Sequence, residues 1–370
     1  MANKSVAVLD VRSSEITAVV AERGVNNTFI IKSKYTCRYD GYAEGEFLDE
    51  ESFCLAVADV VHGISSYLDN KIKRLYVSVP GEFIKLVNVD NTISFNKAKK
   101  INVFDVEKLR KISRPDGVEG YSLVDEATSY FTLSDKRKVV EARGETSDSL
   151  RASLCYYYCK NTFINLMQKA VAECNVKQIK YYSAEQCQAI YLIGEEQRDT
   201  YAEFFDFGFI SSTYSVVCAN GVAYTESFSV GVGHLAVFLM GELDIPYDVA
   251  WEFVKKINLN AKEKLATIEE YRYGDQVYSY STATLRNAIR EGFDAIIETL
   301  EECRKNYVQT NLDNKLLYVS GESINTVRGA SNHISARLVK GVEVVAPNVP
   351  YYDKPQYSSL FSLMNRALND

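Results

Sequence analysis

At 370 residues the chain is too long for one ordinary hydrophobic core, which predicts two domains. Its 46% hydrophobic and 25% charged residues form a globular balance that excludes a disordered or fibrous chain. A formal net charge of −7 argues against nucleic acid as a main partner, and the longest clear apolar block, residues 235–240, is far too short to span a membrane.

Residues 5–24, SVAVLDVRSSEITAVVAERG, read as an apolar strand running into Asp10, a Ser-rich turn, and a second strand resuming at Ile16. Residues 28–37 alternate as a third strand. A helix follows, which Asp49 or Glu50 can cap, with Phe53, Val57, Val60, Val61 and Ile64 as its apolar stripe. Residues 73–80 form a strand that Pro80 stops. Strand, strand, strand, helix, strand is the order of an α/β layer.

From about residue 81 to 160 the pattern changes. FIKLVNVDNTISF reads as an edge strand, NVFDVEKLRKIS as a short capped helix, and residues 121–133 and 150–159 as strands around a charged, loop-rich segment. This predicts a small α+β module inserted into the first domain. A helix over residues 161–175 and the segments IKYYS and AEQCQAIYLIGEE return to the α/β pattern.

Residues 202–221, AEFFDFGFISSTYSVVCANG, repeat the opening grammar: a strand ending at Asp206, a turn in which Gly208 allows a positive φ, and a second strand from Thr213 to Cys218. The two copies predict a duplicated domain with a ligand cleft between the halves; taken alone, the stretch is equally a plain hairpin. Turns of this kind can offer a carboxylate and several amides to a phosphate–metal ligand. The eight Cys are scattered through apolar segments, which predicts buried, reduced thiols in a cytoplasmic protein; Cys155 and Cys159 lack a second Cys/His pair and are not read as a metal site.

Four segments, in order, resemble FtsA, the actin-like bacterial cell-division family, over essentially the whole chain. They are GYAEGEFLDEESF through VSVPGEFIK, the inserted module, SFSVGVGHLAVFLMGELDIPYDVAWEFVKK, and LLYVSGESINTVRGASNHISARL. The resemblance implies an α/β two-domain actin-like fold, a ribonuclease H-like duplication, with an inserted α+β subdomain of the FtsA type. Its divisions are residues 1–82, 161–198 and 346–370 for the first domain, 83–160 for the insertion and 199–345 for the second domain, with 235–310 as an outer helical subdomain.

The family binds ATP with Mg²⁺ between its domains. Position by position, the resemblance implies that Asp10, Arg12 and Ser13 stand in the first phosphate loop and Asp206, Gly208 and Ser211 in the second. Gly231 and Gly233 match the turn before a helix, Lys255 lies next to the family's helical Lys position, and Gly321 and Ser323 match the adenosine loop. Asp10 and Asp206 would hold the metal through water. The departures are substantial. Arg12 replaces a loop Gly, Phe209 and Ile210 replace glycines of the second loop, Glu322 enters the adenosine loop, and Val254 stands where the family has Lys. The loop changes add volume or negative charge where nucleotide would sit, and Val254 removes a cation. They predict weak or absent ATP binding and no efficient ATPase, with Arg12 as a charge-assisted substitute if nucleotide does bind.

The resemblance implies a division scaffold acting by protein–protein contact, with the tubulin-like FtsZ and further copies of itself as partners and a place at the division site or near the membrane through them. Two alternatives remain: an active ATP-binding filament protein, and an adaptor like PilM of pilus assembly. The terminal stripe Leu360, Phe361, Leu363, Met364, Ala367 and Leu368 has one basic neighbour, Arg366, and reads as a core helix rather than a membrane anchor. KAKK at 97–100 and DKRK at 135–138 on an acidic chain suggest salt-dependent head-to-tail association, or simply solvated loops.

Overall fold

A computed structural model describes residues 5–68, 71–261 and 267–370. The chain opens with the antiparallel meander β1 (Val6–Val11), β2 (Glu15–Arg23) and β3 (Phe29–Arg38). A short hairpin, β4 (Tyr42–Ala43) and β5 (Glu46–Phe47), leads into α1 (Glu50–Ser65), which Asp49 caps by accepting from the Glu51 and Ser52 amides. β6 (Leu75–Val79) then pairs parallel with β1.

The next segment forms its own layer. Long β7 (Ile84–Lys100), α2 (Val103–Ser113), β8 (Tyr121–Leu133), the two-residue β9 (Lys138–Val139) and long β10 (Thr146–Lys160) make an antiparallel sheet in the order β7-β10-β8-β9. α2 packs Val106 and Leu109 against Phe131, Leu150 and Tyr158 of that sheet. KAKK is therefore the end of an edge strand, while Lys138 in DKRK joins the small strand β9.

α3 (Asn161–Ala170) ends five residues before the sequence pattern suggests, because Ala172 and Cys174 bond three residues back and tighten the chain into turns. β11 (Ile179–Ser183) adds to β6 and completes the first five-stranded sheet, β11-β6-β1-β2-β3. α4 (Ala184–Leu192) and the single turn α5 (Glu195–Arg198) follow.

The second five-stranded sheet repeats this connectivity. β12 (Ala202–Asp206), β13 (Ser212–Cys218) and β14 (Gly221–Phe228) form the meander. α6 (Gly233–Leu243), α7 (Tyr247–Lys256), the hairpin β15 (Ile268–Tyr273) and β16 (Gln276–Ser281), and α8 (Thr282–Asn306) precede β17 (Leu317–Ser320), which is parallel to β12. α9 (Ala330–Leu338) and β18 (Val342–Val344) close the order β14-β13-β12-β17-β18. The central strands β1, β6 and β17 are buried along their whole length, as parallel strands covered on both faces must be.

α10 (Ser358–Leu368) returns to the first sheet. Leu360, Phe361, Leu363, Met364 and Ala367 are buried against Val8, Val19 and Tyr182, so this is a core helix. Among the described residues no helix is long and apolar enough to cross a membrane. All eight cysteines are free thiols, and six are buried.

Candidate functional site

Two equivalent turns face each other between the sheets, one after β1 and one after β12. Asp10, near the end of β1, is buried, and its Oδ1 accepts from Ser78 Oγ of β6 at 2.8 Å and from Ser359 Oγ of α10. Burial raises its pKa, although Arg12 and the two hydroxyls oppose the shift. Its carboxylate thus ties together a strand, its parallel neighbour and the C-terminal helix.

The Arg12 guanidinium crosses the gap to Asp206, with Nη2 at 3.1 Å from Oδ1 and Nη1 at 3.3 Å from Oδ2. The pair is bidentate, and the side chains are 10% and 13% exposed. Burial works against the charge on Arg12, but Asp206, Glu322 and Asp10 hold it protonated. Gln188 of α4 donates to Asp206 Oδ2 at 2.6 Å, and Tyr39 donates to the Arg12 carbonyl at 2.7 Å.

The turn amides have partners within the chain. Phe209 N donates to Glu322 Oε1 at 3.0 Å, Ile210 N to Ser13 Oγ at 3.0 Å, and Gly233 N to the Phe209 carbonyl at 2.9 Å. Gly231 N donates to His234 Nδ1 at 3.1 Å, and Ser14 Oγ to Glu322 Oε2 at 3.3 Å. Glu322 therefore stands on an amide of the second turn as an anion would, and burial raises its pKa.

Glycine is needed here for closeness. Gly208 does not adopt a positive φ, contrary to the sequence expectation; a Cβ there would lie 2.1 Å from the Ser211 carbonyl oxygen. Gly321 does, at +102°, and a Cβ would meet Asp206 Oδ1 at 2.4 Å. A Cβ on Gly231 would meet the carbonyl oxygens of Gly208 and Phe209 at 2.2 and 2.5 Å.

The structure gathers Arg12, Ser13, Asp206, Gly208 and Ser211 around one cavity of about 20 Å³, room for about one water, while Asp10 lies behind it, bonded to the lining Ser359. Gly231 and Gly233 back the second turn. Ser323 is fully buried, its amide bonded to the Phe207 carbonyl and its hydroxyl unpaired. Lys255 is not brought to this cavity: its ammonium pairs with Glu252 at 2.5 Å and lies over the Trp251 ring. Beyond Glu322 a separate cavity of about 440 Å³ is lined by Tyr39, Phe209, Ile210, Trp251 and Thr326.

Sequence reasoning missed Ser78, Ser359, Gln188 and Glu185. Glu185 lines the small cavity, accepts from Ser183 Oγ at 3.0 Å, and is pushed by burial to a pKa of about 7. The signal was present in AEQCQA, where three polar side chains fall within one turn of a helix packed between two sheets; all three are buried. Among the described residues no cluster of three or more His, Cys, Asp or Glu could hold a metal ion.

No protein-family model matches the sequence, and no curated protein matches it. Solved structures do match its shape. A chain of a PilM–PilN type IV pilus biogenesis complex aligns over 99% of both chains, at 11% identity and TM-score 0.64. MreB5 of Spiroplasma citri bound to ADP aligns over 98% of this chain and 95% of its own, at 11% identity and TM-score 0.57. Ethanolamine utilization protein EutJ from Carboxydothermus hydrogenoformans aligns over 98% and 91%, at 14% identity and TM-score 0.52. Identities this low carry the fold alone, and with the repeated sheet order they give the conclusion that this chain has the two-domain actin-like fold.

Proposed function

We propose that this chain is an actin-like scaffold of the FtsA kind that works by protein–protein contact, with a nucleotide cleft closed by its own side chains. The observation that carries this is the bidentate Arg12–Asp206 pair. A guanidinium lies on the carboxylate that would face a Mg²⁺, Glu322 takes an amide that would meet a phosphate, and about 20 Å³ remains between them. These residues do not fit Mg²⁺ with a polyphosphate, for which ligand pockets of several hundred Å³ are usual, roughly 300 Å³ or more. ATP should bind more weakly than about 100 μM with Mg²⁺. Millimolar ATP should then stabilise the fold by no more than about 1.4 kcal/mol. A calorimetric titration that gives a low-micromolar constant overturns this reading.

The partners on this reading are FtsZ and further copies of the chain, at the division site. Co-sedimentation with FtsZ filaments tests the first, and loss of septum placement on gene deletion tests the role. Two other readings stand beside this one. One is a pilus-type adaptor, for which deletion leaves the septum intact; the likeness to a chain of the PilM–PilN complex agrees with it through the fold alone. The 440 Å³ cavity supports nucleoside entry without phosphate contacts; adenosine would then bind as well as ATP and without Mg²⁺.

A further inference from the structure

Residues 97–114, KAKKINVFDVEKLRKISR, hold seven Lys or Arg and two Asp or Glu, in a chain whose net charge is −7. They form the end of β7 and the whole of α2. The fold uses part of this charge. Lys99 pairs with Asp105 at 2.8 Å, and Asp105 also completes a capping box with Asn102, which fixes the start of the helix. Arg114 pairs with Glu126 at 2.8 Å. Lys97, Lys100, Lys108 and Lys111 are exposed and make no ion pair among the described residues.

The same helix is apolar on both sides. Val106 and Leu109 face the inserted sheet. Outward it presents Phe104 at 79% exposure, Ile112 at 53% and Val103 at 43%. At about 100° per residue, Phe104, Lys108, Lys111 and Ile112 fall on the outward half with Glu107, so the apolar side chains alternate with cations. Phe104 and Ile112 are separated by two turns, about 12 Å. A large aromatic projecting from the helix, with lysines one and two turns along the same face, is costly in water and gains little from a flat protein surface, which would need a pocket cut to receive it. A bilayer interface needs none. Headgroup phosphates accept the lysines while the rings and branched chains reach the acyl boundary.

We propose that α2 docks the inserted sheet on an anionic lipid surface. The helix is already folded and capped, so docking carries no ordering cost, and Lys97 and Lys100 extend the basic zone along the strand that enters it.

Vesicle flotation with the full chain tests this. The protein should float with vesicles of phosphatidylcholine containing about 30% phosphatidylglycerol, should not float with phosphatidylcholine alone, and should be released in part by salt. Phe104→Ser, and separately Lys108→Glu with Lys111→Glu, should each lower the bound fraction at least about tenfold. The control pair Lys71→Glu with Lys177→Glu, exposed elsewhere, should leave it unchanged. Because every altered side chain is exposed, the unfolding midpoints should match that of the parent, which separates lost docking from lost folding. No recovery with anionic vesicles, or an equal loss in the control pair, overturns the proposal. So does self-association that the α2 variants abolish without any lipid affinity, since the face would then belong to a second copy of the chain.

Discussion

Arg12 is the cation among four buried or half-buried acids: Asp10, Asp206, Glu322 and Glu185. Removing it leaves Asp206 facing Gln188 and the other acids without a counter-charge. Arg12→Ala should therefore cost about 3–5 kcal/mol in urea denaturation. Arg12→Met combined with Asp206→Asn should cost less, because no charge is stranded; an equal or larger loss in the double variant would show that the pair is not the dominant interaction. Glu185 gives a pH prediction. Its folded pKa of about 7 lies above its ordinary value of 4.5, so the folded state holds a proton that the unfolded chain has released. Its favourable contribution is whole below pH 4.5 and is lost as pH rises through 7, by about 3 kcal/mol at most. Glu185→Gln should flatten that part of the stability curve and gain on the parent between pH 5 and pH 8. Parallel urea midpoints at the two values would contradict it.

At the scale of the element, α10 and the second turn are the most telling. Phe361 is fully buried and packs edge-on to Phe29 at 5.2 Å between ring centroids. Phe361→Ala should cost about 3–5 kcal/mol and lower soluble yield, as a core helix requires. Gly231→Ala should cost about 3 kcal/mol, because its methyl would collide with two backbone carbonyls that cannot swing away; an unchanged melting temperature would show the turn to be pliable. These elements also show what the sequence made legible. Strong periodicity and apolar runs marked α1, α2, β1 and α10, and the two strand–Asp–turn–strand segments marked the duplication. The exchange of partners at the turns was not legible. Ser78 and Ser359 lie 68 and 349 residues from Asp10, and Gln188 lies on a helix 18 residues before Asp206, so only tertiary packing brings their hydroxyls and amide to a carboxylate. The reason for Gly208 was misread for a related cause: the close approach of Ser211 fixes it, and no local pattern reveals that distance.

Across the whole molecule the two halves are joined by bonds that bypass the cleft as well as by the ion pair. Glu44 N donates to Ser229 Oγ at 2.7 Å, Ser229 Oγ to Glu82 at 3.0 Å, and Gln186 to the Asn220 carbonyl at 2.9 Å. The Arg12–Asp206 pair should then govern local breathing more than overall shape. Arg12→Ala should raise amide exchange at Phe209 and Ile210 by more than its global cost raises it in β1 and β12, with little change in the scattering radius. Uniformly faster exchange through both sheets would mean that the pair is holding the halves together.

A cleft shut by a side chain of the same polypeptide differs from one shut by a diffusible ligand in one respect. A bound triphosphate is consumed, and its loss can time the disassembly of whatever it holds. Arg12 is never consumed and has no concentration. If the function proposed above holds, a molecule closed in this way would carry no clock and would not register the energy state of its surroundings, and any rhythm in assemblies it formed would be imposed by the supply, removal or chemistry of the proteins docked on it.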